Sequence, residues 1–298
     1  MGARALTEAR NPATMDIDSL PTAEVVALIN AEDASVAQAV QQELPAIARA
    51  VELIVEWLQR GGRLLYFGAG TSGRLGGLDA AEMVPTFGTE PGMVQAFIAG
   101  GTEAITRAIE GAEDDRQAGA EAVRQAGVGE ADVVVGITAS GRTPWVLGAL
   151  AEARQRGALT IGLTCTRPSP LEGLAEVTIA PLVGPEVIAG STRLKAGTAQ
   201  KMVLNMLSTA TMIRLGKVYG NLMVDVQPTS DKLRERARRI LQEAAGVGPE
   251  EAEQALEAAG YQVKVALVML LAGVGAEEAR RRLRQATGDV RHALAGRK

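Results

Sequence analysis

The fold is decided by residues 63–73, RLLYFGAGTSG, in the first third of this 298-residue chain. The segment begins as a short apolar strand and ends in a glycine-rich turn that should open a helix. Gly68, Gly70 and Gly73 fit the pattern G-x-G-x-x-G. A strand that leads through such a turn into a helix is the basic unit of a parallel α/β sheet.

The same alternation continues along the chain. Strands are predicted at residues 93–101, 132–141, 158–165 and 176–183, and helices at 73–83, 102–115, 116–126, 143–157 and 191–215. Alternating strands and helices predict an α/β fold with a doubly wound parallel sheet and helices on both faces.

Flanking segments have different patterns. Residues 1–20 are polar and are expected to form a loose arm, and residues 22–58 have helical apolar spacing that Pro45 should kink or split. After Pro228, glycines separate short helices expected at 231–245, 249–258, 262–271 and from about 276. We therefore predict three parts: the arm and helices at 1–58, a sheet domain at 59–225, and a small helical domain at 226–298.

Composition narrows the class of protein. Hydrophobic residues make up 47% of the chain, which is enough for a large core, and the net charge of −4 argues against a nucleic-acid partner. The N-terminus lacks an apolar signal segment, and the longest apolar run, residues 265–276, is too short to span a bilayer. We expect a cytoplasmic protein with no membrane partner.

The chain has one cysteine, Cys165, and one histidine, His292. One cysteine cannot form an intrachain disulfide, and neither residue belongs to a cluster with metal-ligand spacing. We expect no metal, and proton transfer falls to carboxylates, lysine or tyrosine because a histidine base is nearly excluded.

The first glycine-rich loop lacks the marks of a nucleotide site. A dinucleotide fold needs an acidic residue at the end of the next strand, but that strand ends in residues 98–101, IAGG, and the loop has no Gly-Lys-Ser/Thr. No cofactor is expected. A helix N-terminus carrying Thr71 and Ser72 is instead suited to an anion, although a glycine turn with a Ser/Thr cap would have the same sequence.

A second loop, residues 138–143, has similar chemistry. Ser140, Gly141, Arg142 and Thr143 lie between a predicted strand and a predicted helix, as Thr71 and Ser72 do. If the two strands are neighbours, both loops face one pocket at the carboxyl ends of the sheet. One phosphate monoester could then accept hydrogen bonds from both.

A third polar segment leads into the long helix predicted at 191–215 and includes its first residues. It combines Glu186, Ser191, Thr192, Arg193 and Lys195, which are a carboxylate, two hydroxyls and two cations. We count these residues among the candidate substrate-binding groups. The alternative is an exposed capping segment.

Two glutamates are candidates for acid and base catalysis. Glu82 has small or apolar neighbours, which predicts partial desolvation and a raised pKa. Glu113 lies in the acidic run 110–115, and such a run is usually a solvated helix face. Spacing alone therefore favours Glu82 over Glu113.

Four stretches resemble one family in order and in detail. They are GAGTSGRLGGLDAAEMVPTFG, IAGGTEAITRAIEGAEDD, GITASGRTPWV and PEVIAGSTRLKAGTAQKMVLNMLSTATMIRLGKVYGNLMVDV. The chain resembles the N-acetylmuramic acid 6-phosphate etherases, which contain a sugar isomerase (SIS) domain. The resemblance extends over nearly the whole chain.

The resemblance implies an SIS-type sheet with a small C-terminal helical domain similar to a three-helix ubiquitin-associated bundle, and a homodimer. It implies cleavage of the D-lactyl ether of N-acetylmuramic acid 6-phosphate in cell-wall amino-sugar recycling, without metal or nucleotide. The family's proton donor falls on Glu82 and its second catalytic glutamate on Glu113. Similarity to SIS isomerases places phosphate-binding hydroxyls at Ser72, Ser140 and Thr143 and a glutamate acting near C1 and C2 at Glu186.

Two other functions use the same fold. One is a regulatory protein that senses a sugar phosphate without chemistry, as the glucokinase regulatory protein does. The other is an aldose–ketose isomerase. A sensor needs neither Glu82 nor Glu113, so retention of both favours the etherase.

Overall fold

The computed structural model describes residues 6–226, 228 and 230–295, and its centre is a five-stranded parallel sheet. The strand order is β2-β1-β3-β4-β5. The strands are β1 Leu64–Gly68, β2 Val94–Ile98, β3 Val133–Ile137, β4 Leu159–Leu163 and β5 Val177–Ile179. This confirms the predicted doubly wound α/β fold.

Every residue of β1, β3 and β4 is buried, which explains their continuous apolar sequences. The register pairs Gly68 with Ile98 on β2 and with Ile137 on β3. The carboxyl ends of these three strands therefore lie level, and the loops that follow them leave from one edge of the sheet.

Seven helices precede or flank the strands within residues 22–214. They are α1 Thr22–Ala34, α2 Val36–Gln41, α3 Leu44–Gln59, α4 Gly70–Phe87, α5 Arg116–Gln125, α6 Pro144–Gln155 and α7 Lys195–Arg214. Pro45 lies in the first turn of α3, where its missing N–H is not needed, so it marks a helix start.

The helix predicted at 102–115 is wrong. The segment forms two short 3₁₀ turns, Thr102–Ile105 and Ala112–Asp114, joined by irregular chain. Gly101 and Gly111 precede the two turns with φ of 70° and 74°. This left-handed conformation is open to glycine and cannot continue a right-handed helix.

The N-terminal arm is more ordered than its polar sequence indicated. From Leu6 it forms three 3₁₀ turns. The Thr14 hydroxyl donates to the carbonyl oxygen of Val187 at 2.8 Å, and Asn11 Nδ2 donates to Glu32 Oε2 at 2.7 Å. The expectation of a loose arm is therefore wrong for residues 6–19.

Contacts divide the chain into two compact units, residues 1–80 with 92–208, and residues 81–91 with 209–298. The predicted domain limits at residues 58 and 225 stay a prediction. In the second unit, five helices lie within residues 230–295: α8 Asp231–Ala245, α9 Pro249–Ala258, α10 Val263–Ala272, α11 Ala276–Gln285 and α12 Val290–Ala295. The sequence predicted the first four of them.

The helices of the second unit share one apolar core. Its fully buried members include Ala237, Leu241, Leu256 and Leu267. Within the described residues no single helix has the length and apolar content needed to cross a membrane, and α9 and α10 meet that standard only as a pair bent by 116°.

Candidate active site

The two hydroxyl-rich loops follow adjacent strands, which meets the condition on which a shared pocket depended. β1 leads into residues 69–73 and β3 into residues 138–143, and these two strands are hydrogen-bonded neighbours. Both loops then open helices, α4 and α6. Two helix N-termini, each with free N–H groups and a positive dipole end, therefore start at the same edge of the sheet.

Glycines in the first loop let α4 approach the sheet closely. A Cβ atom on Gly73 would lie 2.6 Å from Ile98 Cγ1 and 2.8 Å from the Gly68 carbonyl oxygen. A Cβ atom on Gly70 would meet nothing within 4 Å, so space does not require glycine there. Its backbone does, because φ is 53°, a conformation that glycine adopts readily. The motif thus serves close packing and a tight turn.

Ser72, on the first turn of α4, is buried and donates from its hydroxyl to Gln200 Oε1 on α7 at 2.9 Å. Thr71 approaches the same helix, because a Cβ atom on Gly197 would lie 3.4 Å from Thr71 Cγ2. The structure therefore brings the first loop against the start of α7.

The second loop is organised by its own hydroxyls. Thr138 Oγ1 lies 2.7 Å from Thr143 Oγ1 and 3.4 Å from Ser140 Oγ. Gly141, at φ 67°, is enclosed: a Cβ atom there would lie 2.5 Å from Ser169 Cβ. Arg142 is exposed, and its backbone N–H donates to Ser140 Oγ at 3.3 Å.

The third segment holds the start of α7. Glu186 is 1% exposed, and its carboxylate accepts hydrogen bonds from the backbone N–H groups of Lys195 and Ala196, each at 2.9 Å. Ser191 and Thr192 are half-buried in the approach to the helix, and the side chain of Arg193 is exposed.

Lys195 is 3% exposed, and its amine donates to Glu32 Oε2 on α1 at 2.6 Å. This hydrogen bond, with a further one from Asn11, holds the pKa of Glu32 below its ordinary value even though burial opposes the shift. The charge of Lys195 is therefore matched within the protein.

Glu113 lines a cavity of about 320 Å³ at the carboxyl ends of β1 and β2. Arg74, on α4, lines the same cavity. Its guanidinium donates to the carbonyl oxygens of Ile105 and Arg107, at 2.9 and 3.1 Å. Arg74 therefore holds the irregular segment that carries Glu113 while presenting a positive charge to that cavity.

Glu82 lies on α4 and is exposed, as are Ala81 and Val84 beside it. The expectation that apolar neighbours desolvate this carboxyl is wrong, because the buried side of the helix at this point carries Met83 and Phe87 instead. Periodicity of 3.6 residues places Glu82 away from that side.

Sequence reasoning missed two buried polar residues, Asp79 and Gln200. Asp79 accepts hydrogen bonds from Tyr66 and Ser208, and burial raises its pKa. Both residues interrupt otherwise small or apolar helical segments, which is the signal that could have identified them. Within the described residues, no group of three or more His, Cys, Asp or Glu side chains is placed to hold a metal ion.

Family comparisons agree with the sheet and its loops. A model of the glucokinase regulatory protein N-terminal SIS domain matches residues 46–154, and a general SIS domain model matches residues 117–210. A solved structure described as a phosphosugar isomerase involved in capsule formation, from Bacteroides fragilis, superposes with a TM-score of 0.51 at 22% identity, covering 65% of this chain and 91% of that one. At that identity the likeness shows the fold alone.

Curated relatives are much closer in sequence. The N-acetylmuramic acid 6-phosphate etherase of Geobacillus thermodenitrificans is 54% identical over 288 residues, which are 97% of this chain and 98% of that protein. The protein of the same name from Mycolicibacterium smegmatis is 55% identical, with 97% of each chain covered. That of Symbiobacterium thermophilum is 58% identical over 90% of this chain and 89% of the relative.

Proposed function

Because the chain belongs to the N-acetylmuramic acid 6-phosphate etherase family, we infer that it is an etherase that releases D-lactate from N-acetylmuramic acid 6-phosphate. The observation that supports this function most strongly is sequence identity above 50% to named etherases, over nearly the full length of both chains. The reaction is an elimination followed by addition of water, and the second product is N-acetylglucosamine 6-phosphate.

The elimination requires two proton transfers. An ether at C3 departs readily when C2 becomes a carbanion stabilised by the C1 carbonyl of the open-chain sugar. One ionised carboxylate removes the C2 proton, and a protonated carboxyl donates to the departing lactate oxygen. Each such transfer is worth roughly 10²–10⁴-fold in rate.

We assign the base to Glu113 and the acid to Glu82. Glu113 is supported by its place in the cavity at the sheet edge, beside a helix N-terminus. Glu82 is supported by the family pattern alone, and its exposure leaves the carboxyl accessible.

The phosphate group is assigned to the two loops that follow β1 and β3. Ser72, Ser140 and Thr143 supply hydroxyls there, and the N-termini of α4 and α6 supply N–H groups and positive dipole ends. Thr71, Gly141 and Arg142 complete the set. Ser191, Thr192 and Arg193 stay candidates for the remainder of the sugar.

The lactyl carboxylate needs a cation, and Arg74 is better placed to supply it than Arg193 or Lys195. It lines the cavity that contains Glu113, whereas Lys195 is buried against Glu32 and Arg193 is an exposed residue outside that cavity's lining. A guanidinium also binds a carboxylate in two parallel hydrogen bonds.

Homodimerisation and a cytoplasmic location belong to the same proposal. Large apolar side chains of the first unit, among them Leu78, Ile105 and Ile188, are more than half exposed, at 54%, 55% and 53%. Such side chains are suited to a subunit contact. The buried free thiol of Cys165 suits a reducing compartment.

One assay tests the function. The purified protein is incubated with N-acetylmuramic acid 6-phosphate, and D-lactate is measured with a lactate dehydrogenase. Stoichiometric D-lactate is expected, and Glu113→Gln should reduce its rate by at least about 10²-fold. A higher melting temperature with substrate but no lactate would favour a sugar-phosphate sensor. Formation of an isomeric sugar phosphate would favour an isomerase.

A further inference from the structure

Ser72 and Gln200 form a buried hydrogen bond in which the serine uses its only proton. Ser72 is 8% exposed and Gln200 is 1% exposed. The Ser72 hydroxyl donates to Gln200 Oε1 at 2.9 Å, and Gln200 Nε2 is buried without a hydrogen-bond partner among the described residues. A buried amide N–H without an acceptor is costly, so this arrangement is incomplete.

The arrangement also conflicts with phosphate binding. The oxygens of a phosphate dianion only accept hydrogen bonds, so a hydroxyl that binds them must donate its proton. Ser72 cannot give the same proton to Gln200 and to a phosphate. The conflict depends on the proposal above that Ser72 binds the phosphate of the substrate.

A half-turn of the Gln200 amide resolves the conflict over the Ser72 proton. The oxygen and nitrogen of an amide have nearly the same size, so the turn keeps the packing of the side chain. Nε2 then donates to Ser72 Oγ, and the serine proton is free for a ligand oxygen. One buried amide N–H acquires an acceptor in the same step, and Oε1 takes the position without a partner, where an unpaired carbonyl oxygen is better tolerated than an unpaired N–H.

We propose that Gln200 is a positioning residue: its amide N–H donates to Ser72 Oγ and thereby directs the Ser72 hydroxyl proton towards the sugar phosphate. The helix that carries Gln200 is itself fixed at its first turn, where Glu186 accepts from the N–H groups of Lys195 and Ala196. Gln200 lies one turn further along α7, so its amide is presented to the first loop from a rigid element.

Two substitutions separate orientation from packing. Gln200→Glu supplies a carboxylate, which only accepts and so holds the Ser72 proton inward. Its KM for N-acetylmuramic acid 6-phosphate should rise about 10-fold or more, the effect of losing one hydrogen bond to a charged group, with a smaller change in kcat. Gln200→Met has similar length and no charge, and it should raise KM less.

The pH profile distinguishes orientation from a merely structural role. As the pH falls, the carboxyl of the Glu variant becomes protonated and can donate to Ser72, so its KM should return towards that of the native enzyme. The ratio of KM for Gln200→Met to KM for native enzyme should stay constant over the same range. Melting temperatures of both variants report on folding. If the Glu variant does not fold, the Met variant alone still tests the role of Gln200 in the double-mutant cycle with Ser72→Ala.

Ser72→Ala completes a double-mutant cycle. Ser72→Ala alone should raise KM, and adding Gln200→Met to it should raise KM no further. If Ser72→Ala leaves KM unchanged, Ser72 does not bind the phosphate and both proposals fall. Two outcomes would overturn only the role of Gln200, given that Ser72→Ala raises KM. In one, folded Gln200 variants keep the native KM. In the other, Gln200→Met raises KM by the same factor in the Ser72→Ala background as in the native enzyme.

Discussion

The carboxylate of Glu186 caps α7 through Lys195: Oε2 accepts from the Lys195 backbone N–H at 2.9 Å, while Oε1 accepts from that of Ala196 at the same distance. A negative charge at this position is also favoured by the helix dipole. The Lys195 side chain bonds to Glu32 on α1. Two carboxylates from distant parts of the chain therefore fix the start of the helix that carries Gln200.

Glu186→Gln should lower the free energy of unfolding by about 1–3 kcal/mol, because the amide nitrogen faces a backbone N–H and leaves one buried donor unpaired. Denaturant unfolding measures this change. Glu176→Gln is the control, since that side chain is exposed. Turnover by the folded variant tests the catalytic hypothesis separately: a native kcat would remove Glu186 from the chemistry and leave only the helix cap.

The Glu32–Lys195 pair should make stability depend on pH in the acid range. The Lys195 hydrogen bond lowers the pKa of Glu32 from its ordinary value of 4.5. A lowered carboxyl pKa adds stability that is complete above pH 4.5 and is lost as pH falls through the folded-state value. The stability difference between native enzyme and Glu32→Gln should therefore be constant above about pH 5 and shrink below pH 4.5.

Urea unfolding at several pH values measures that difference. Glu24→Gln, an exposed substitution on the same helix α1, should show little difference from native enzyme at any pH. A Glu32→Gln difference that stayed constant down to pH 3 would contradict the lowered pKa.

Arg74→Gln should distinguish substrate from product. The substrate carries a lactyl carboxylate and the product N-acetylglucosamine 6-phosphate does not. Loss of the guanidinium should raise KM for substrate about 10-fold or more but change competitive inhibition by that product much less. The exposed Arg107→Gln is the control. Equal losses for both ligands would indicate that Arg74 acts only by holding the segment at residues 105–107.

The parallel sheet and its two hydroxyl loops were predictable because each depends on local patterns. Short β-branched runs bounded by turns, such as 133–137, are typical of interior strands, and glycine-containing turns follow them. Residues 102–115 were misassigned because their apolar spacing is compatible with a helix, whereas glycines in the segment also permit turns. The positive φ of Gly101 and Gly111 produces the turns. The sequence favoured a helix over those turns.

Side-chain partners across the fold were not predictable. Ser72 and Gln200 are separated by 128 positions, and Lys195 and Glu32 by 163. The residues next to each partner in the sequence do not specify these pairings. The pairings arise when α7 packs against the first loop and α1. For the same reason Lys195 looked like a free cation for the substrate, whereas its charge is matched by Glu32.

Isotope exchange should separate the roles of the two catalytic glutamates. Glu82→Ala should still exchange the C2 proton of N-acetylmuramic acid 6-phosphate with D₂O, because the base remains, while lactate release falls by about 10²–10⁴-fold for want of the acid. Glu113→Gln should lose both exchange and release. NMR follows the C2 proton and an enzymatic assay follows D-lactate, with Glu110→Gln as the control because Glu110 lines the same cavity as Glu113. Loss of exchange in Glu82→Ala would mean that Glu82 is the base or that it performs both transfers.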